Sequence, residues 1–306
     1  MPLIQCQEIR GAAAGPTLLV TGGVHGDEYE PMAAIRQLGS ELRPEALRGN
    51  LLFAPVVNEA AFRLASRTAE DGLDLARTCP GRPDGTITER IADELSGLIR
   101  KADYYIDLHT GGARLRVLPL VGYMLHSEPA LLEAQRRMAR AFGLPLVWGA
   151  DPTLPGRSLS VERDAGVPAI YAEYQGGGEL DLTGVEAYVN GCRNVLTVLG
   201  MLEGPAPSPD VVPRVVEDPH PGSGHMQICH PIPHDGFFAP TVRLGKEVRA
   251  GEVFGRVTDP LGHRCTEIHA ERTGLVVVVR ACPSVSQGDS AGVVLDLFPP
   301  LPGAPA

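Results

Sequence analysis

Cysteine is sparse and shows no pairing pattern. Cys6, Cys79, Cys192, Cys229, Cys265 and Cys282 are scattered over 306 residues with no Cys-x-x-Cys spacing. That excludes a thiolate zinc knot and a dense disulfide framework, and it fits reduced thiols in a cytoplasm. The chain also lacks any stretch near the roughly 18 apolar residues that a membrane helix needs. Its opening, MPLIQCQEIRG, has no basic segment leading into an apolar one, so no secretory signal is read there and a cytoplasmic protein is expected. Excess positive charge is missing as well. A formal net charge of -10 opposes the attraction to phosphates that drives most nucleic-acid binding. A small-molecule partner is the expectation, with neither nucleic acid nor membrane.

The hydrophobic fraction, 43%, is that of a globular protein, and the length allows one large domain or two unequal ones. From Pro16 the run Thr17 to Thr21 predicts a short buried strand ending on Gly22-Gly23. A helix over Pro31 to Leu42 follows, with Met32, Ile35, Leu38 and Leu42 on one stripe. The alternation continues through Leu51 to Val57 (strand), Thr88 to Lys101 (helix), Tyr104 to Leu108 (strand), Pro129 to Phe142 (helix), Ala169 to Glu173 (strand) and Gly184 to Leu202 (helix). Strands separated by helices predict an α/β sheet, mostly parallel at its centre.

Gly204-Pro-Ala-Pro-Ser-Pro is a linker by composition, which sets domains of 1–204 and 205–306. Beyond it come short β-like runs and no convincing amphipathic helix. Residues 234–257 and 271–294 form a weak repeat, each an apolar run after a Gly, then Val-x-x-Gly and an acid. Such duplication predicts a small all-β sandwich like the lipoyl-carrier and barrel-sandwich domains. The hairpin between the halves, Asp259-Pro-Leu-Gly-His-Arg, lacks the lysine that a carrier needs. The tail is therefore read as a structural or oligomerisation module, which admits a homo-oligomer.

The strongest local signal is Gly22-Gly23-Val24-His25-Gly26-Asp27-Glu28, at the end of a predicted strand. His25 and Glu28 have compact ligand spacing. Zinc accepts imidazole nitrogen and carboxylate oxygen, and a catalytic site takes three protein ligands and leaves one position for water. The third ligand is expected from another strand end, His109, with Asp107 two positions earlier able to orient a ligand. Glu173, at the end of a further strand and just before a Gly cluster, is the expected general base for attack of water on an amide. His220, His225, His230 and His234 suggest a metal only by number; without acids at ligand spacing they read as loop and strand-edge histidines. Asp27 and Glu30 read as solvated or outer groups.

Together, Gly-x-His-Gly-x-Glu, Asp-x-His and a Glu near a strand end resemble the succinylglutamate desuccinylase/aspartoacylase family, which belongs with the zinc carboxypeptidases. The resemblance covers roughly residues 15–180 in motif order, and the β tail resembles that family's second domain. It implies a zinc-carboxypeptidase-like mixed sheet flanked by helices, one Zn²⁺ per chain, and hydrolysis of an N-acetyl or N-succinyl amino acid. It further implies that Arg67 polarises the carbonyl, that Arg77 holds a substrate carboxylate, and that Arg157, followed by Ser158, resembles a pair used against a side-chain carboxylate. Ala76 stands where the family has Asn, which removes a donor and detaches this chain from succinylglutamate and acetylaspartate. Other readings share parts of the pattern: a carboxypeptidase of short peptides, a non-catalytic binding protein, or a deacetylase of an acetylated diamino acid, for which Glu179 and Asp181 would suit a cationic substrate.

Overall fold

The computed structural model describes residues 2–205 and 212–297. Most of the expected linker therefore lies outside the described residues. In chain order the elements are β1 (Gln7–Arg10), β2 (Ala13–Thr21), α1 (Tyr29–Glu41), β3 (Arg48–Ala54), α2 (Glu59–Arg63), α3 (Ile87–Ile99), β4 (Tyr104–His109), β5 (Leu115–Met124), α4 (Pro129–Phe142), β6 (Leu146–Ala150), α5 (Ser158–Ala165), β7 (Ala169–Gly176) and α6 (Leu182–Val198). The tail adds β8 (Arg214–Glu217), β9 (Gly236–Pro240), β10 (Glu247–Val248), β11 (Val253–Thr258), β12 (Cys265–His269), β13 (Gly274–Arg280), β14 (Ser284–Val285) and β15 (Gly292–Leu295).

Strands β3, β2, β4 and β7 lie side by side and parallel, and form the centre of the main sheet. Leu18, Leu19 and Val20 of β2 are buried on both faces, as a central strand between helical layers requires. One face is covered by α1, α4 and α6, whose Ile35, Leu38, Met138, Phe142 and Tyr188 share a core. The other is covered by α3, through Ile91, Leu95 and Ile99, with Val161 of α5. Local signals set the helix ends. Thr86 and Glu89 form a reciprocal capping box on α3, while Pro129 opens α4 and Gly143, at φ 92°, closes it.

Sequence periodicity gave no sign of β5, β6 or α5. β5 contains Pro119, and its pairing to antiparallel β7 shifts register between Val117 and Leu120, so the alternation is interrupted where proline cannot donate. β5 is the branch point of the sheet. Its Leu115–Val117 portion pairs with β13 and its Leu120–Met124 portion with β6, which continues to β8.

The repeat in the tail appears as an exchange of strands. β9 pairs with β11 of its own half and β14 of the other; β13 pairs with β15 of its own half and β10 of the other. Phe238, Phe254, Val257, Val276 and Val294 fill the core between them. This is the all-β sandwich expected from the duplication, with β13 also hydrogen-bonded into the main sheet.

Candidate active site

The three metal-type residues reach one point from two strand ends. The loop after β2 carries His25 and Glu28, and β4 ends on His109. The loop is packed so tightly that a Cβ on Gly26 would come within 2.1 Å of the Ala61 backbone in α2, and Gly23 sits at φ 62°. Glycine is thus required at both positions for the turn to bring His25 and Glu28 under the sheet's edge.

Glu28 is buried, and its two oxygens face the Nδ1 atoms of both histidines, at 2.7 Å from His25 and 3.0 Å from His109. Each Nε2 faces a different acid: His25 meets Asp74 at 3.1 Å, and His109 meets Asp107 at 3.1 Å. An Nε2–H donated to a carboxylate leaves the Nδ1 lone pair free, so both imidazoles are held in the tautomer that ligates through Nδ1. The ligand atoms of His25, Glu28 and His109 lie within 4.8 Å of one another. Two imidazole nitrogens and a carboxylate, each imidazole backed by an acid, can hold a divalent metal ion. Asp107 is itself fixed by the Thr21 hydroxyl at 2.7 Å and the Ser158 hydroxyl at 2.5 Å.

Glu173 lies directly across from His109 in the parallel β4–β7 register, and Tyr171 lies across from Asp107. Period-two alternation therefore puts Asp107, His109, Tyr171 and Glu173 on one face of adjoining strands. Burial pushes the Glu173 carboxyl up to about 8; His109 opposes this and Glu28 adds to it. Its Oε2 has no hydrogen-bond partner among the described residues. A buried carboxyl with a raised pKa and a free oxygen beside a metal-type site is suited to taking and returning a proton.

Arg67 is held by Asp74, with Nε at 3.2 Å and Nη2 at 3.0 Å from Oδ2, and its Nη1 stands 3.8 Å from Glu28. The Gln227 side-chain oxygen, turned toward Arg67, accepts from both Nη atoms. Arg77 donates to the Ala76 carbonyl at 2.6 Å, and burial, then the nearby Arg157, pushes it down to about 10. Arg157 donates Nη1 to the Gly224 carbonyl at 3.2 Å, while its buried Nε and Nη2 have no partner among the described residues.

His25, Glu28, His109, Glu173, Arg67, Arg77 and Arg157, the ligands, base and arginines expected from the sequence, line one cavity together with Ala76. Asp74, Tyr171 and Gln227 were missed. Asp74 lay unassigned between Asp71 and Arg77, and Tyr171 could have been found from its two-residue offset to Glu173. Gln227 had no signal, because it reaches the site from the irregular segment between β8 and β9. Three of the four tail histidines are engaged elsewhere, His220 with Asp218, His230 with the Gly292 carbonyl and His234 with Thr266, whereas the buried Nδ1 of His225 has no hydrogen-bond partner among the described residues. Glu179 and Asp181 do not line the cavity; Asp181 caps α6.

A family model described as the succinylglutamate desuccinylase/aspartoacylase catalytic domain matches residues 14–199. The N-alpha-acetyl-L-2,4-diaminobutyric acid deacetylase of Halomonas elongata is 34% identical over 297 residues, covering 94% of this chain and 84% of that protein. A solved succinylglutamate desuccinylase/aspartoacylase from Rhodobacter sphaeroides is 30% identical with a TM-score of 0.85, over 96% of this chain and 88% of that one. The product-bound ectoine utilization protein EutE (DoeB) of Ruegeria pomeroyi is 32% identical with a TM-score of 0.86, over 95% and 88%.

Proposed function

The chain belongs to the succinylglutamate desuccinylase/aspartoacylase family and is an amide-hydrolysing deacylase, and on that premise we propose that it is a zinc enzyme cleaving N-acyl amino acids to a carboxylic acid and a free amine. The observation that carries this reading is the buried meeting of His25, Glu28 and His109 in one cavity with Glu173, whose Oε2 has no hydrogen-bond partner among the described residues. Two nitrogens and one carboxylate oxygen, with an acid behind each imidazole, are the donor set of catalytic zinc. A zinc ion there would polarise the acyl carbonyl and lower the pKa of water toward about 7.

The other roles belong to the chain's own side chains. Glu173 takes the proton of the attacking water and delivers it to the leaving nitrogen, the transfer for which a carboxyl near neutrality is suited. Arg67, fixed by Asp74 and Gln227, directs its positive charge at the oxyanion that develops on the acyl oxygen. The free Nε and Nη2 of Arg157, with Arg77 beside it, bind the carboxylate of the amino acid. The name of the Halomonas relative favours acetyl as the acyl group. The unpaired cysteines support a reducing compartment, the cytoplasm.

The test is release of free amine from a panel of N-acetyl and N-succinyl amino acids by zinc-loaded protein. Turnover of N-acyl amino acids with short peptides left intact is expected. Cleavage of peptides alone would instead make the chain a carboxypeptidase.

A further inference from the structure

The charges around the cavity are unevenly spread. Its lining carboxylates are Glu28, which is engaged by both histidines, and Glu173, which the reaction needs for proton transfer. On the positive side stand Arg67, Arg77 and Arg157. Asp74 and Gln227 engage Arg67 at Nε and both Nη atoms and leave one Nη1–H for the acyl oxygen, so the donors left for a substrate carboxylate are those of the Arg77 and Arg157 pair. One substrate carboxylate satisfies that pair.

The remaining wall is apolar. Leu115, Val117, Met124, Leu154, Leu159 and Met226 line it together with Tyr171, while the hydroxyls of Ser158 and Thr110, also in the lining, are engaged with Asp107 and the Gly112 N–H. Tyr123 also lines the wall, but its hydroxyl is spent on Glu217 at 2.6 Å. A substrate ammonium placed against this wall would be desolvated with no carboxylate to meet it, and would share the chamber with two guanidiniums. Among the residues that line this cavity, a second substrate carboxylate would find no cation beyond these three arginines. Glu179 and Asp181, the acids expected to suit a cationic substrate, lie outside the lining.

We propose that the preferred substrate carries a single carboxylate and an uncharged, apolar group, seated on the wall formed by Leu115, Val117, Met124, Leu154, Leu159 and Met226. This rests on the deacylase reading above and narrows its substrate class. The apolar group belongs either to the amino acid side chain or to the acyl chain, and both would bury the same apolar surface. The chain in this respect departs from its Halomonas relative, whose name specifies a diamino acid.

The experiment compares kcat/KM of the zinc-loaded protein for N-acetyl-L-methionine, N-hexanoylglycine, N-acetyl-L-2,4-diaminobutyrate and N-acetyl-L-aspartate. At least one of the first two should exceed both charged substrates by about tenfold or more. Preference for N-acetyl-L-methionine assigns the apolar group to the side chain, and preference for N-hexanoylglycine assigns it to the acyl chain. Faster cleavage of the diaminobutyrate or aspartate derivative overturns the inference and leaves the deacylase reading intact. Release of amine from none of the four overturns both. A second measurement uses Met226→Glu, at a half-buried position in the irregular segment, which places a carboxylate on the wall. The ratio of diaminobutyrate to methionine turnover should rise about tenfold, and an unchanged ratio contradicts the placement.

Discussion

At the scale of single residues, the site is organised by what each polar atom is committed to. Asp74 and Asp107 occupy the outer nitrogens of His25 and His109 and so expose the inner ones to Glu28. Glu173 differs from these acids, as a carboxyl with one oxygen uncommitted among the described residues and a proton affinity raised chiefly by burial. Replacing it with Gln preserves shape and removes proton transfer, so kcat should fall by about 10²–10⁴ while bound metal is retained. The pH profile supplies the sign. Glu173 must be ionised to take a proton, and its pKa lies above the usual carboxylate range, so kcat/KM should rise with pH on a limb displaced upward from ordinary carboxylates. That limb should be missing from the residual activity of Glu173→Gln. A profile unchanged by the substitution would remove Glu173 from the role of base.

At the scale of elements, legibility depended on whether a signal was local. The helix Pro129–Phe142 was read to the residue, because proline at its start and glycine after its end mark both boundaries. β2, β4 and β7 were found because continuous apolar runs end on Gly or on His and Glu. β5 escaped because its proline and register shift break the alternation, and α5 because eight residues give too few turns for a period to show. α5 also holds a cost that no pattern reveals. Glu162 is fully buried, neither oxygen has a partner among the described residues, and burial raises its pKa well above the usual value. The folded state therefore keeps a proton that the unfolded state releases. Stability is fully present below the ordinary carboxylate pKa and declines as pH rises above it. Glu162→Gln should raise Tm by a few degrees, with the gap to wild type widening between pH 5 and pH 8 in thermal melts. A gap independent of pH would mean that Glu162 is not held protonated.

At the scale of the whole molecule, the branch in the main sheet explains why the site draws on both ends of the sequence. β5 carries cavity residues Leu115, Val117, Tyr123 and Met124, and its outer edge is divided between β13 of the tail and β6, which leads through β8 to the segment bearing Gly224, Met226 and Gln227. Motifs pointed to the residues proposed as metal ligands and base, which cluster at strand ends within residues 25–173. They did not disclose the part of the cavity wall supplied by Gly224, Met226 and Gln227, because this segment is irregular and its contacts to Arg67 and Arg157 span many positions in sequence. Ala76 marks the same division: its backbone N–H donates to Asp74, but its methyl side chain on the cavity wall offers no donor to a substrate, so the side chain bears on which substrate enters. The central claim is that His25, Glu28 and His109 hold the metal on which amide hydrolysis depends. Its most direct test is elemental analysis of purified wild-type protein beside His25→Ala. About one zinc per chain in the wild type, lost from the variant while its fold is retained by circular dichroism, is the predicted result. A wild type that binds no divalent metal, or a variant that keeps full occupancy, would contradict it.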